Sequence, residues 1–294
     1  MTNLIERAEA ERIAEDVAKQ HGFTALPICP FTIAQKADIV VQEKESNAPG
    51  VSGFLMRVGD TFGIQYAHHI KNEGFIRFTI AHELGHYFLP GHPDKLFPTG
   101  HGLHHSRSGF ISDDPLERQA DHFAGALLMP ASLFKKAMNR AGQGFAAIDL
   151  LAKQCKTSIT ATAIRYAQFT WDTVAVIVSS ENRVEYCFLS EQLKNLRGLT
   201  WLKKGDIIPP SSTTAAFNRT PSNIAKAKKE EGSCNLDEWL DGAPDIEINE
   251  DVIGLGTYGK TLTVLFTDEA LEAEDESEEE EDQNGELSSQ KNSS

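Results

Sequence analysis

The segment that most constrains this chain is the apolar run from Phe75 to Leu89, which contains the pentapeptide HELGH at positions 82–86. The composition of the run favours a helix that ends before the following Pro-Gly pair. Positions i and i+4 share one helix face, so His82 and His86 would present two imidazoles to one point. Two histidines at this spacing inside a helix are typical of a metal site. The spacing therefore predicts a metal-binding helix close to the core.

Glu83 follows the first histidine and lies beside the predicted ligand face. A carboxylate at this position can take a proton from a metal-bound water. Neutral imidazoles combined with an oxygen ligand suit Zn²⁺, which lowers the pKa of its bound water to about 7. We therefore expect Zn²⁺ as the cofactor and Glu83 as the catalytic base.

A catalytic zinc needs a third protein ligand, and two residues compete for this position. Glu117 on the next predicted helix is favoured, with Asp121 one turn further along the same face to hold a ligand histidine. His92 is the alternative, because it follows His86 by six residues, the offset of the third histidine in metzincins. Leu89 stands where those proteins have a glycine, which weakens that alternative.

The hydrophobic pattern changes near residue 171, from helical spacing before it to short β-type runs after it. This change predicts an α+β fold. A helical domain with a small mixed or antiparallel sheet is followed by a helix pair and a β-rich C-terminal domain. The predicted boundaries are 1–130, 131–170 and 171–267, with an acidic tail at 268–294.

Charge and hydropathy limit where such a chain would work. Of the 43 acidic residues, 12 lie in 268–294 beside one lysine, so this segment is predicted to be disordered. No stretch approaches the roughly 18 apolar residues that span a membrane. The first twenty residues lack the apolar region of a signal peptide. We therefore expect a cytoplasmic protein without a membrane partner.

The stretch AAIDLLAKQCKTSITATAIRYAQF at 146–169 is similar to a helix-turn-helix. Lys153, Lys156 and Arg165 would be its candidates for phosphate contacts. The stretch is only weakly basic, and helix pairs are common packing elements. A structural helix pair is therefore favoured, and direct DNA binding is not expected.

Two longer segments carry a family resemblance. RFTIAHELGHYFL, followed by ERQADHFAGALLMP, resembles the ImmA/IrrE family of metallopeptidases, and LPICPFTIAQKADIVV is similar to the N-terminal region of that family. The resemblance covers roughly residues 5–170. Many members carry Glu where this chain has Gln119, and the histidine-rich insert at 91–114 is less typical.

The resemblance implies that residues 1–130 form a gluzincin-like zinc endopeptidase domain. His82, His86 and Glu117 match the ligand positions, and Glu83 matches the general base. It also implies a specific cytosolic protein substrate, such as a helix-turn-helix transcriptional repressor, and hence an anti-repressor role in transcription regulation. The alternative is a non-catalytic regulator that binds a transcription factor or DNA around a structural zinc.

Two features of catalysis stay open at the level of sequence. The residue that stabilises negative charge on the carbonyl oxygen is one of six candidates, which are His101, His104, His105, His122, Tyr66 and Tyr87. The segment 61–66 is predicted to be a strand. If it forms the sheet edge beside the cleft, an extended substrate segment would pair with it by strand addition.

Overall fold

A computed structural model of the chain describes residues 2–44, 51–68, 72–107 and 112–267. The acidic tail predicted at 268–294 lies outside the described residues. Within them, the strands form a four-stranded mixed sheet and a five-stranded antiparallel sheet, surrounded by helices. The α+β class predicted from the sequence is confirmed.

The first sheet has the order β1-β3-β2-β4, and its strands are β1 Val40–Lys44, β2 Val51–Val58, β3 Thr61–Ala67 and β4 His101–Arg107. Strands β2 and β3 form a hairpin around the Gly-Asp turn at 59–60. The expectation that 61–66 forms a sheet edge is wrong. Strand β1 pairs in parallel with β3, with Val41 opposite Ile64, and thereby covers the edge of β3. On the other side, β4 pairs with β2 and forms the edge of the described sheet.

Among the described residues, eight helices precede the second sheet in the chain, and they are α1 Thr2–Gln20, α2 Pro30–Lys36, α3 Glu73–Phe88, α4 His92–Leu96, α5 Pro115–Leu128, α6 Ala131–Met138, α7 Gly144–Cys155 and α8 Ile159–Phe169. Helix α3 lies between the first sheet and α5, and α1 packs on α5. The histidine-rich insert at 91–114 contains α4 and β4. The β4 sequence HGLHHSR has no β-branched residue, so only its pairing with β2 makes it a strand.

The second sheet has the order β6-β5-β9-β8-β7, and its strands are β5 Thr173–Ser180, β6 Arg183–Leu189, β7 Lys229–Asn235, β8 Glu247–Gly254 and β9 Thr261–Thr267. Four short helices accompany it, α9 Glu191–Lys194, α10 Thr213–Asn218, α11 Pro221–Ala225 and α12 Leu236–Trp239. One sheet face, with Val174 and Val264, belongs to the same apolar core as the helices of the first half. The other face, with Ala175 and Leu265, forms a second core. The division of the chain into domains stays a prediction.

The helix pair α7–α8 is a packing element. No residue of α8 is exposed, so this helix has no free face to enter a DNA groove. Its Arg165 donates to Glu11 at 2.8 Å and to the Met129 carbonyl oxygen at 3.2 Å. Lys153 and Lys156 also form ion pairs within the chain, with Asp149 and Glu73. These contacts favour the structural reading of the pair. None of the described helices has the length and apolar character needed to cross a bilayer.

Candidate metal centre

Helices α3 and α5 approach closely because small residues face each other where they cross. A Cβ added at Gly85 would lie only 3.1 Å from the Ala120 Cα atom. Local caps define where both helices begin. The Asn72 side chain accepts from the Phe75 amide at 3.0 Å, and the Asp114 side chain accepts from the Leu116 amide at 2.8 Å. The crossing brings the histidine face of α3 against the acidic face of α5.

The donor triangle consists of His82 Nε2, His86 Nε2 and the Glu117 carboxylate. The two nitrogens lie 3.1 Å apart, and each lies 3.2 Å from a Glu117 oxygen. Tetrahedral coordination at 2.0–2.1 Å separates neighbouring ligand atoms by roughly 3.3 Å. Within the described part of the chain, this is the group of His, Cys, Asp and Glu side chains whose geometry suits one metal ion. The residues present therefore fit the metal that the sequence predicts.

Asp121 holds the first histidine from behind. His82 Nδ1 lies 2.8 Å from Asp121 Oδ1, and a carboxylate only accepts, so the proton is on Nδ1. When a metal ion takes the place of the second proton, the Nε2 lone pair of His82 completes its side of the triangle. The spacing between Glu117 and Asp121 predicts this contact of Asp121 with a histidine of the triangle.

The charges of the triangle follow from burial and hydrogen bonding. Burial lowers the pKa of His86 to about 3, so this imidazole is neutral near pH 7. Burial pushes the pKa of the Glu117 carboxyl upward, but hydrogen bonds from His104 and His82 and the positive charge of His82 outweigh it and hold that pKa far below its usual range. Burial also acts to lower the pKa of His82, and the Asp121 and Glu117 carboxylates raise it to about 10. The same two carboxylates favour a metal cation at this nitrogen in place of the proton.

Glu83 is fully buried beside the triangle. Neither of its carboxylate oxygens has a hydrogen-bond partner of acceptable geometry among the described residues. Burial raises its pKa to about 7, against the opposing effects of the His82 charge and of the Ser106 hydroxyl. An unpaired buried carboxylate is costly, and its presence points to a functional role.

Of the six candidates for stabilising the carbonyl oxygen, His104 is the one that contacts the triangle. It stands opposite Leu55 of β2 in the sheet, and its Nε2 donates to Glu117 Oε1 at 2.9 Å. The next residue, His105, points to the other sheet face and packs against Phe54. Tyr87 packs against Phe62, with ring centroids 5.0 Å apart. The sequence could not select His104, because its place depends on the pairing of β4 with β2.

His92, the alternative third ligand, contacts the opposite side of the His86 ring. Its Nδ1 lies 3.1 Å from His86 Nδ1, and its Nε2 lies 2.8 Å from Gln119 Oε1. The oxygens that converge with the two Nε2 atoms are those of Glu117. The structure thus places Glu117 in the triangle and His92 behind it.

Comparison with known proteins relates the chain to a family model, to a curated protein and to solved structures. Residues 34–166 match the family model Peptidase_M78, described as an IrrE N-terminal-like domain. The radiation response metalloprotease IrrE of Deinococcus deserti is 33% identical over 109 residues, which are 37% of this chain and 37% of that protein. A transcriptional regulator of Mycobacterium tuberculosis has a similar structure, with a TM-score of 0.56 and 14% identity over 88% of this chain and 76% of that chain. The chain matches little more than a third of the curated relative, and the structural likeness shows the fold alone.

Proposed function

Since residues 34–166 of this chain form a domain of the ImmA/IrrE metallopeptidase family, we propose that the protein is a zinc-dependent endopeptidase. The observation that carries the proposal is the donor triangle with Glu83 beside it. His82, His86 and Glu117 would hold the ion. Zinc held there supplies a Lewis acid that polarises the scissile carbonyl and makes water a stronger acid.

Glu83 would move the protons of the reaction. Burial raises the pKa of its carboxyl toward neutrality, which suits a group that both accepts and releases a proton. It would take a proton from the attacking water and pass it to the leaving amine. Because Glu83 is fully buried, bulk water would not compete for this proton.

His104 is our candidate for the group that stabilises negative charge on the carbonyl oxygen. Its Nε2–H already points at the donor triangle, 2.9 Å from Glu117 Oε1. A hydrogen-bond donor at this place is what a developing oxyanion requires. His104 lies on the edge strand β4, the same strand that we propose to pair with the substrate.

The substrate would be an extended protein segment that pairs with β4. Among the described strands β4 pairs with β2 alone, so no described strand occupies its other edge, which would accept a strand by addition. His104 lies on this strand and contacts Glu117, so a peptide along the edge would run beside the donor triangle. Main-chain pairing would give affinity, and contacts of the substrate side chains would give selectivity.

We propose that this substrate is one specific protein, a helix-turn-helix transcriptional repressor, cut at one or few bonds. The support for the repressor is the family resemblance. The alternative is a non-catalytic regulator with a structural zinc. A structural zinc does not explain why the Glu83 carboxylate is buried without a hydrogen-bond partner among the described residues. Binding to DNA through α8 is not supported either, because no residue of α8 is exposed.

The test incubates the zinc-loaded protein with the repressor encoded nearest to its gene, and with casein as a non-specific control. We expect cleavage of the repressor at one position, lost with a chelator and in Glu83→Gln. Rapid digestion of casein with the repressor intact would contradict the proposed substrate. If the zinc-loaded protein cleaves neither, the peptidase itself is contradicted.

A further inference from the structure

The two histidines of the donor triangle are held from behind by partners of different charge. His82 Nδ1 donates to the Asp121 carboxylate at 2.8 Å. His86 Nδ1 instead faces His92 Nδ1 at 3.1 Å, and His92 Nε2 faces Gln119 Oε1 at 2.8 Å. His86 is therefore supported by an uncharged pair of hydrogen-bonded side chains, His92 and Gln119.

Which nitrogen carries the proton in His92 and in His86 decides whether His86 can bind a cation. The Gln119 oxygen accepts, so the proton of His92 is on Nε2 and its Nδ1 carries a lone pair. That lone pair accepts from His86 Nδ1–H, which leaves the His86 Nε2 lone pair directed at His82 Nε2 and Glu117. In the opposite arrangement of protons, the Gln119 amide nitrogen would donate to His92 Nε2, and His92 Nδ1 would donate to His86 Nδ1. The proton of His86 would then be on Nε2, where no metal could bind.

We propose that His92, oriented by Gln119, is a positioning residue that holds His86 in the tautomer able to bind zinc. The inference rests on the proposed zinc site and adds two residues to it. Neither is a ligand, since the atoms that converge belong to His82, His86 and Glu117. A metal-binding histidine that loses the partner of its second nitrogen typically loses about 10- to 100-fold in metal affinity.

The backbone around His92 is built to present this ring. Gly91 adopts a left-handed conformation with φ of 79°, and it turns the chain back after α3. His92 follows as the first residue of α4, and its amide donates to the Leu89 carbonyl oxygen at 3.2 Å. His92 is 2% exposed and His86 is fully buried, so solvent does not compete for their hydrogen bond.

There is also a physical reason for the support of His86 by uncharged side chains. Glu83, Glu117 and Asp121 already place three carboxyl groups around the triangle. A fourth carboxylate behind His86 would add repulsion among like charges in a buried region. A histidine and an amide orient the ring of His86 without adding a negative charge.

The test compares two substitutions at His92 with a matched control. His92→Phe keeps the ring size and removes the acceptor, whereas His92→Asn provides an oxygen acceptor near the position of Nδ1. His21→Phe is the control, because His21 is also partly buried and packs against Phe88 at the end of α3, with ring centroids 5.9 Å apart. Zinc affinity is measured by competition with a chelator. The His86 tautomer in the zinc-loaded protein is read from ¹⁵N NMR of the imidazole nitrogens.

We expect His92→Phe to weaken zinc binding by about 10- to 100-fold, with His92→Asn and His21→Phe near the unaltered protein. The His86 ring should show a proton on Nδ1 in the unaltered protein. Equal affinity in His92→Phe, or equal losses in His92→Phe and His92→Asn, would overturn the proposal. If His92→Phe does not fold, Gln119→Leu replaces it, and unchanged affinity with an unchanged His92 tautomer would overturn the proposal equally. Failure of the unaltered protein to bind zinc would instead contradict the proposed function.

Discussion

The Glu83 carboxylate lies directly against the backbone of β2 at Gly53, where an added Cβ would come within 2.5 Å of Glu83 Oε1. The same Cβ would meet Thr79 Cγ2 at 2.6 Å, so α3 has no room to give way locally. Gly53 is therefore required for the close approach of strand and helix that buries the proposed base. A glycine in the middle of a strand often marks such an approach.

We expect Gly53→Ala to displace Glu83 while the zinc ligands stay in place. A displacement of about 1 Å at a reacting group costs roughly 100-fold in rate. The measurement is kcat with the protein substrate at full zinc occupancy. The matched control is Gly63→Ala in β3, whose Cβ would contact the movable end of Met56 at 3.3 Å. Equal activity of the two variants would contradict the importance of this contact.

Glu83→Gln should keep zinc and the fold but lose peptide-bond cleavage. The amide cannot accept the proton of the attacking water, whereas the donor triangle is untouched. Loss of general base catalysis is expected to lower kcat by about 10²–10⁴-fold. Zinc content by elemental analysis and turnover are measured on the same sample. Turnover close to that of the unaltered protein would remove Glu83 as the base.

Glu117→Ala and His92→Ala should differ in metal content. We expect about one zinc per chain in the unaltered protein and loss of stoichiometric zinc in Glu117→Ala, because an oxygen ligand of the triangle is gone. His92→Ala should still reach one zinc at saturating metal, with weaker affinity. Both are measured by equilibrium dialysis. If His92→Ala alone loses the metal, His92 is the third ligand and our assignment is wrong.

Arg165→Met should destabilise the fold because it leaves the Glu11 carboxylate without this partner. The Arg165 side chain is 6% exposed and contacts Glu11 at 2.8 Å. Breaking a buried pair costs about 3–5 kcal/mol, whereas an exposed pair contributes about 0–1 kcal/mol. The control is Arg12→Met, since Arg12 forms exposed pairs on the same α1 helix. The free energy of unfolding in urea is the measurement, and similar losses in both variants would contradict the structural role of Arg165.

Deletion of residues 272–294, which lie outside the described residues, should leave the melting temperature nearly unchanged. The segment is acidic and has little apolar surface to bury. Calorimetry of the truncated and full chains at equal salt is the test. A fall of many degrees would show that the segment contributes to folding.

Local sequence patterns were sufficient to predict the elements of the site that depend on near neighbours. The i, i+4 spacing of His82 and His86 is a property of any α-helix, and the Asp114 cap places α5 from a local hydrogen bond. The positions of Glu117 and Asp121 on one face of α5 follow in the same way. Such features are readable because the interacting groups are a few residues apart.

Which of these groups contact each other depends on packing between distant segments. The sequence leaves both Glu117 and His92 within reach of a zinc; the crossing of α3 and α5 at Gly85 and Ala120 places Glu117 in the triangle and His92 behind His86. Strand β4 has no β-branched residue, so its existence, its edge position and the approach of His104 all depend on pairing with β2. These contacts join segments far apart in the chain, and their free energy comes from packing and ladder hydrogen bonds that no local pattern encodes.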